Sequence, residues 1–149
     1  MSEFNEILSQ LYSRFGFAKD EIEKYIIIEP NRKHLSFYHE SLSKVSCKSE
    51  SLGISFAKHK QKWPKLTTGA TRVLGHLAKK NIVNLNRELA NSYMQRNSFD
   101  IDSSSLEACE SAGYVIVKYL GNPIGVAMLK FGDKSPYLCS LYPKNWKKN

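Results

Sequence analysis

A run of basic side chains in FAKHKQKWPKLTTG, residues 56–69, has the composition of a phosphate-binding loop. Lys58, Lys60 and Lys62 alternate with other residues, so an extended segment would place their three ammonium groups on one side. Lys65 and Arg72 would extend this basic surface if the loop packs against the start of the next helix. An arginine can in addition fork onto a phosphate or stack on a base. The pattern therefore predicts contacts with nucleic-acid phosphates, from which much of the affinity for RNA comes.

Aromatic side chains stand among these lysines and could hold a base. His59 and Trp63 could each stack on an unpaired base. The C-terminal sequence YPKNWKKN repeats the pattern, with Lys144 and Lys147 on either side of Trp146. For both tryptophans the alternative interpretation is that the ring packs on the protein while the lysines stay solvated.

The excess positive charge of the chain lies in its middle. No Asp or Glu occurs between Glu50 and Glu88, and residues 51–87 carry a net charge of +8. Residues 1–50 carry −1 and residues 88–149 carry +1, so the middle segment accounts for the net charge of the whole chain. This asymmetry favours a polyanionic partner. A solvated, lysine-rich face is the alternative.

The composition is that of one domain with a real core. Of the 149 residues, 42% are apolar, which excludes a disordered basic tail. The apolar run at residues 25–28 is only four residues long, far short of the ~20 that a membrane span needs. The first ten residues are polar and acidic and lack the features of a secretory signal. We therefore expect no membrane association and a cytoplasmic location.

The cysteines and histidines give no sign of a disulfide framework or a metal site. Cys47, Cys109 and Cys139 lie far apart and form no CxxC pair, which fits a reducing cytoplasm. His34 and His39 are close in sequence, but no cysteine pair accompanies them as a zinc site would require. We expect neither a metal nor another cofactor.

The residues that could catalyse a reaction lack partners in the sequence. His59 and His76 both fall in the acid-free stretch, so no carboxylate near in the sequence is available to orient either ring, and only one from a distant part of the chain could do so. No glycine-rich nucleotide-binding loop follows a strand. We therefore expect no enzymatic activity.

The elements that position these residues are short and mixed. Apolar spacing and capping residues predict helices at residues 3–15, 18–23, 68–79 and 87–95. Thr67 or Thr68 can cap the third helix, and Asn86 can cap the fourth. Strand-like runs occur at residues 25–29, 42–47, 52–57, 99–101, 114–120, 124–131 and 137–142. Residues 121–123 have the composition of a hairpin turn, whereas residues 35–38 and 102–112 are predicted to be loops or turns. These elements indicate an α+β fold with a small barrel-like sheet.

The order of several motifs resembles a known domain. Leu52-Gly53 precedes a basic loop that ends at Trp63-Pro64, and LNRELANSYM follows the next helix. Then come GYVIVKYLGNPIGVAMLK and the closing LYPKNWKK. This series over residues 25–148 resembles the PUA-like RNA-binding domain at the C-terminus of RsmF-type (Sun-family) RNA cytosine-5 methyltransferases. The chain departs from that family at Val126-Ala127 and at Asn97, where the family commonly has Trp-Gly and Gly.

The resemblance implies a PUA-like β-pseudobarrel with flanking helices over residues 25–149, preceded by an N-terminal helical extension at residues 1–24. It also implies binding to structured RNA such as rRNA or tRNA, in support of RNA modification or ribosome biogenesis. The family's methyltransferase domain is not among these residues, and no cysteine stands in the Pro-Cys setting of its nucleophile. The expected protein is thus a non-catalytic, methyltransferase-associated RNA-binding module.

A second hypothesis is a protein-interaction subunit that docks on a separate RNA-modifying enzyme or a ribosomal protein. The basic face would then meet an acidic protein. The docking stripe would lie on the first helix, at Phe4, Leu8, Leu11 and Phe15. Packing in the core is the alternative use of such a stripe.

Overall fold

Helices and strands alternate irregularly along the chain. The computed structural model describes residues 3–28, 34–44, 53–58 and 65–146. The helices within these residues are α1 (Glu3–Phe15), α2 (Lys19–Ile22), α3 (Thr68–Leu74) and α4 (Arg87–Met94). The strands are β1 (Tyr25–Ile28), β2 (His34–His39), β3 (Ile54–Lys58), β4 (Ile82–Leu85), β5 (Ser98–Asp100), β6 (Leu106–Glu107), β7 (Gly113–Tyr119), β8 (Asn122–Phe131) and β9 (Pro136–Ser140). Short 3-10 turns lie at Glu40–Lys44, Gly75–Leu77, Ser103–Ser105 and Lys144–Trp146.

The strands form two sheets. Strands β4 to β9 make a six-stranded sheet that curls into half a barrel, in the order β5-β9-β8-β7-β4-β6. Its neighbouring strands are antiparallel, except that β4 and β7 run parallel. Strands β1, β2 and β3 form a separate antiparallel sheet. This is the α+β architecture, with a curled sheet and flanking helices, that the sequence predicts.

The curled sheet carries a hydrophobic core on each face. Successive side chains of a strand point to opposite faces, so β7 directs Ile116 into one core and both Val115 and Val117 into the other. Strand β4 does the same with Ile82 and Val83. The first core joins the sheet to α1, α3 and the small sheet, and the second joins it to α4.

Helix α1 contributes to the first of these cores. Leu11 and Phe15, two residues of the predicted docking stripe, are fully buried there. Leu8 is partly buried against the same core, and the side chain of Phe4 lies outside the described part. The described residues of this stripe therefore pack inside the protein. The division of the chain at residue 24 stays a prediction.

Side-chain caps start α3 and α4 where the sequence predicts them, although α3 ends at Leu74, before the predicted residue 79. The Thr67 hydroxyl accepts a hydrogen bond from the backbone N–H of Ala70 at 3.1 Å and donates one to the carbonyl of Ser55 on β3. The Asn86 side-chain oxygen accepts from the N–H of Leu89 at 2.8 Å. Both caps satisfy donors that the first helical turn leaves open. The cap of α3 in addition ties that helix to β3.

Four predictions of local structure are wrong. Residues 35–38 belong to strand β2, because β1 and β3 pair with them on both sides. Residues 42–44 form part of a 3-10 turn and no strand, while residues 45–47 lie outside the described part. The predicted loop at 102–112 contains β6, which pairs with β4. The hairpin turn was predicted at residues 121–123 but lies at Leu120-Gly121. Pro123 already pairs with Lys118 of β7 and so belongs to β8.

The described residues include no helix that is both long enough and apolar enough to cross a bilayer.

Candidate nucleic-acid interface

The structure describes part of the predicted binding surface. Lys65, Arg72, Lys144 and Trp146 are described with their side chains. Lys58 is the last residue of β3, and its side chain is outside the described part. The other predicted residues lie outside it entirely: His59, Lys60, Lys62, Trp63 and Lys147.

Two of the described residues meet, although they are far apart in the sequence. The guanidinium carbon of Arg72, on α3, lies 5.4 Å from the centre of the Trp146 ring. That distance is within the range of a cation–π contact. Arg72 is exposed, and Trp146 keeps 42% of its surface accessible. The basic helix and the basic C-terminal turn therefore form one continuous surface.

Trp146 is the outermost of three aromatic rings that touch edge to face. The ring of Tyr142 lies 6.0 Å from that of Trp146, with an angle of 78° between the ring planes. The ring of Tyr93, on α4, lies 5.6 Å from that of Tyr142 at 70°. Both pairs have the T-shaped arrangement that aromatic rings favour. The series leads from the fully buried Tyr93 to the half-exposed Trp146.

Hydrogen bonds fix the backbone that carries these rings. A terminal guanidinium nitrogen of Arg96 donates to the Tyr142 carbonyl at 2.8 Å. The Ser140 hydroxyl donates to the Tyr93 carbonyl at 2.7 Å and accepts from the Tyr142 N–H at 3.3 Å. The end of β9 is thus attached to α4, and Tyr142 after it is attached to Arg96, just beyond α4. Trp146 lies in the 3-10 turn that follows. Its backbone N–H donates to the Pro143 carbonyl at 3.0 Å.

Tyr93 anchors this arrangement in the second core. Its hydroxyl donates to the carbonyl of Val126 on β8 at 2.8 Å. Gly125 leaves the space for that hydroxyl, because a Cβ atom at this position would overlap it. Burial, together with the neighbouring Tyr142, raises the pKa of Tyr93 well above its usual range. Tyr93 therefore stays neutral at physiological pH and acts as a structural support.

A second contact between a cation and an aromatic ring involves Lys65. Its ammonium nitrogen lies 5.2 Å from the centre of the Tyr114 ring, on β7. The residue is partly buried and precedes the cap of α3, so it joins the end of the basic loop to the face of the curled sheet. Lys144 is exposed at the start of the C-terminal 3-10 turn. These positions place Lys65 and Lys144 beside the elements that carry Arg72 and Trp146.

A small pocket opens beside Trp146. It has a volume of about 220 Å³ and is lined by Asn91, Met94, Gln95, Tyr142 and Trp146. Asn91 and Gln95 are one helical turn apart, which puts their amides on the same side of α4. Except for Trp146, none of these lining residues was among the predicted site residues. The spacing of the two amides on a predicted helix was the available signal, but only the fold shows that Trp146 faces them.

A larger cavity lies where Arg14 joins α1 to the curled sheet. It has a volume of about 620 Å³ and includes Arg14, Asn81 and Ser111 in its lining. Arg14 donates to the Tyr114 carbonyl at 3.0 Å and to the Ser111 hydroxyl at 2.7 Å, so it ties α1 to the curled sheet. Burial lowers the pKa of Arg14. Among the described residues, no three His, Cys, Asp or Glu side chains cluster as a metal site requires.

The comparison with protein families agrees with this architecture. Residues 80–147 match the family model of the methyltransferase RsmF PUA domain. The match runs from just before β4 through Trp146 and includes the aromatic series and the small pocket. It excludes the basic loop, and the resemblance over residues 25–79 stays a prediction. No curated protein matches the chain. A PUA domain indicates RNA binding, and residues 80–147 of this chain form a PUA-like domain that is similar to the PUA domain of the methyltransferase RsmF.

Proposed function

We propose that this chain is a non-catalytic module that binds structured RNA, such as rRNA or tRNA. In that role it would assist RNA modification or ribosome biogenesis in the cytoplasm, together with a separate RNA-modifying enzyme. The observation that carries the proposal is the contact between Arg72 and Trp146. It joins the acid-free segment to the matched PUA-like domain.

The chemistry of this surface suits RNA. Arg72 can leave or share the Trp146 ring to bind a phosphate, and Lys65 and Lys144 add positive charge on the neighbouring elements. Half-exposed aromatic rings beside cations are typical of proteins that stack unpaired bases. Lys58, His59, Lys60, Lys62, Trp63 and Lys147 complete the proposed surface from the sequence.

The proposal that the module is non-catalytic rests on its residues. The matched family model is that of the RNA-binding domain and not that of the methyltransferase domain. The described part of the surface has an arginine, lysines and aromatic rings as its functional groups, which bind anions and bases but do not form an activated nucleophile.

The competing hypothesis of a protein-docking subunit loses its proposed surface. Leu11 and Phe15 of the α1 stripe are buried in the first core and are not available to a partner. On that hypothesis the basic face, which is also the face proposed for RNA, remains as the docking surface. Gel filtration with and without nuclease separates these two ideas, because a nucleic-acid complex disappears after digestion and a protein complex does not.

The experiment that tests the proposal compares two arginine variants. Binding of total tRNA and of rRNA fragments is measured for the wild-type protein, Arg72→Gln and Arg87→Gln. Arg72→Gln should weaken binding by about three- to ten-fold, because it removes a phosphate contact and the cation–π support of Trp146. Arg87→Gln removes the same charge from the exposed start of α4, outside the predicted site, and should change binding by less than about two-fold.

Two outcomes would contradict the proposal. One is that no RNA binds to the wild-type protein at low salt. The other is that the two variants weaken binding equally, which would indicate attraction by overall charge without a defined surface.

A further inference from the structure

We propose that the pocket between α4 and the C-terminal turn holds one unpaired base of the bound RNA. The pocket is the cavity of about 220 Å³ lined by Asn91, Met94, Gln95, Tyr142 and Trp146. This inference rests on the proposed function, since it names the part of the RNA that the Trp146 end of the surface recognises.

The lining of the pocket suits an uncharged, flat ligand. Two amides, a thioether and two aromatic rings surround it, and none of these five residues carries a charge at neutral pH. Its volume lies below the ~300 Å³ at which pockets for drug-sized ligands begin. A single base is a ligand of the right shape and polarity for such a space. A phosphate would lack a cation inside the pocket.

The two amides can read the edge of a base. Asn91 and Gln95 are both exposed; Asn91 lies on α4, Gln95 is the residue that caps its C-terminal end, and both line the pocket. Within the part of the chain that the structure describes, neither side-chain amide has a hydrogen-bond partner. Each amide offers a donor and an acceptor together, which is the pattern that pairs with adenine N6 and N7. The pocket should therefore favour adenine among the four bases.

The aromatic wall is rigid enough to serve as a stacking surface. Tyr142 is held through its carbonyl by Arg96 and through its N–H by Ser140. The Trp146 ring packs edge to face against the Tyr142 ring, so the fixed Tyr142 supports it. Because 42% of Trp146 remains accessible, part of this ring is available to a base.

Two cations belong to the elements around Trp146 and are available to the phosphates of such a nucleotide. Arg72 contacts the Trp146 ring, and Lys144 begins the same 3-10 turn. A base in a neutral pocket with its phosphate near cations is the division of contacts by which proteins bind unpaired nucleotides.

The test uses a hairpin RNA with one bulged nucleotide. Five versions are compared, with A, C, G, U or an abasic site at the bulge. For the wild-type protein, the abasic RNA should bind at least about five-fold more weakly than the A version, as loss of one stacked base predicts. Trp146→Ala should abolish this difference. The double change Asn91→Ala and Gln95→Ala should keep the abasic defect but bring the four bases within about two-fold of one another.

Gln10→Ala is the matched control for the loss of an exposed helical amide, because Gln10 lies on α1 and does not line this pocket. It should preserve the wild-type base preference. Circular dichroism and urea unfolding confirm that each variant is folded.

The outcomes separate the two proposals. If the wild-type protein binds all five RNAs equally well, the base pocket is refuted while RNA binding stands. If Trp146→Ala preserves the abasic defect, the pocket is likewise refuted. If none of the five RNAs binds and neither tRNA nor rRNA fragments bind, the proposed function itself fails.

Discussion

At the scale of single residues, Tyr93 is the support on which the candidate surface rests. Its hydroxyl donates a hydrogen bond to β8, and its carbonyl accepts one from Ser140. Its ring packs edge to face against the Tyr142 ring. The residue is fully buried, which disfavours the ionised phenolate and raises the pKa. A surface residue such as Trp146 thus depends on a buried residue for its position.

Because the pKa of Tyr93 is raised in the folded protein, the free energy of unfolding should fall as the pH becomes alkaline. Below the unfolded-state pKa of ~10, the phenol is neutral in both states and its stabilising contribution is fully present. As the pH rises above ~10 the unfolded state ionises first, so this contribution is progressively lost. Tyr93→Phe should therefore lose stability less steeply in this range, by up to about 1.4 kcal/mol per pH unit.

Urea unfolding between pH 8 and 11 measures this difference. Tyr137→Phe removes the hydroxyl of an exposed tyrosine and should keep the wild-type steepness. A Tyr93→Phe variant whose stability falls as steeply as that of the wild-type protein would show that Tyr93 is not the group responsible.

At the scale of elements, α3 is the link between the small sheet and the candidate surface. Its cap, Thr67, is bonded to Ser55 on β3, and its exposed residue Arg72 reaches Trp146. The helix packs against β8 and β3. It is only seven residues long, so it depends on its cap and on packing more than on its own helical propensity.

Removal of the cap should destabilise the protein. Thr67→Ala should lower the free energy of unfolding by about 0.5 to 2 kcal/mol, because the N–H of Ala70 and the Ser55 carbonyl lose their partner. Thr67→Ser keeps the hydroxyl and should recover most of this loss. Denaturant unfolding checks both values. Equal losses for the alanine and serine variants would mean that the hydroxyl does not stabilise α3.

The same scale shows what the sequence can predict. The caps at Thr67 and Asn86 and the β7–β8 hairpin follow from local signals, and the structure confirms them. Strand β2 was missed because its extended form is imposed by its partners β1 and β3, which no local pattern reveals. Strand β6 is only two residues long and lies in a polar segment, so its pairing with β4 left no signal.

For the candidate surface, the sequence predicts individual residues but not how they are arranged. Residue type alone singled out Arg72 and Trp146 as separate candidates. Their contact depends on how α3 and the segment after β9 pack, which is a property of the fold. Asn91 and Gln95 were not selected, because exposed amides on a helix are common and only the position of Trp146 gives them significance.

At the scale of the whole molecule, the two faces of the curled sheet pack against different elements. One face joins it to α1, α3 and the small sheet, and the other to α4 and the aromatic series. The net charge of +8 resides in residues 51–87, which include the strand and helix that lie on the first side. The cationic segment and the matched PUA-like domain then meet at Arg72 and Trp146. We propose that this junction and the basic loop with Lys58, Lys60 and Lys62 bind the phosphates of RNA together.

The salt dependence of RNA binding tests that claim most directly. Contact with about four phosphates predicts that the logarithm of the binding constant falls with the logarithm of salt concentration with a slope near −3 for single-stranded RNA. The triple change of Lys58, Lys60 and Lys62 to Ala should weaken binding and make the slope distinctly shallower. Absence of RNA binding at low salt, or binding that the triple change leaves equally steep, would contradict the proposal.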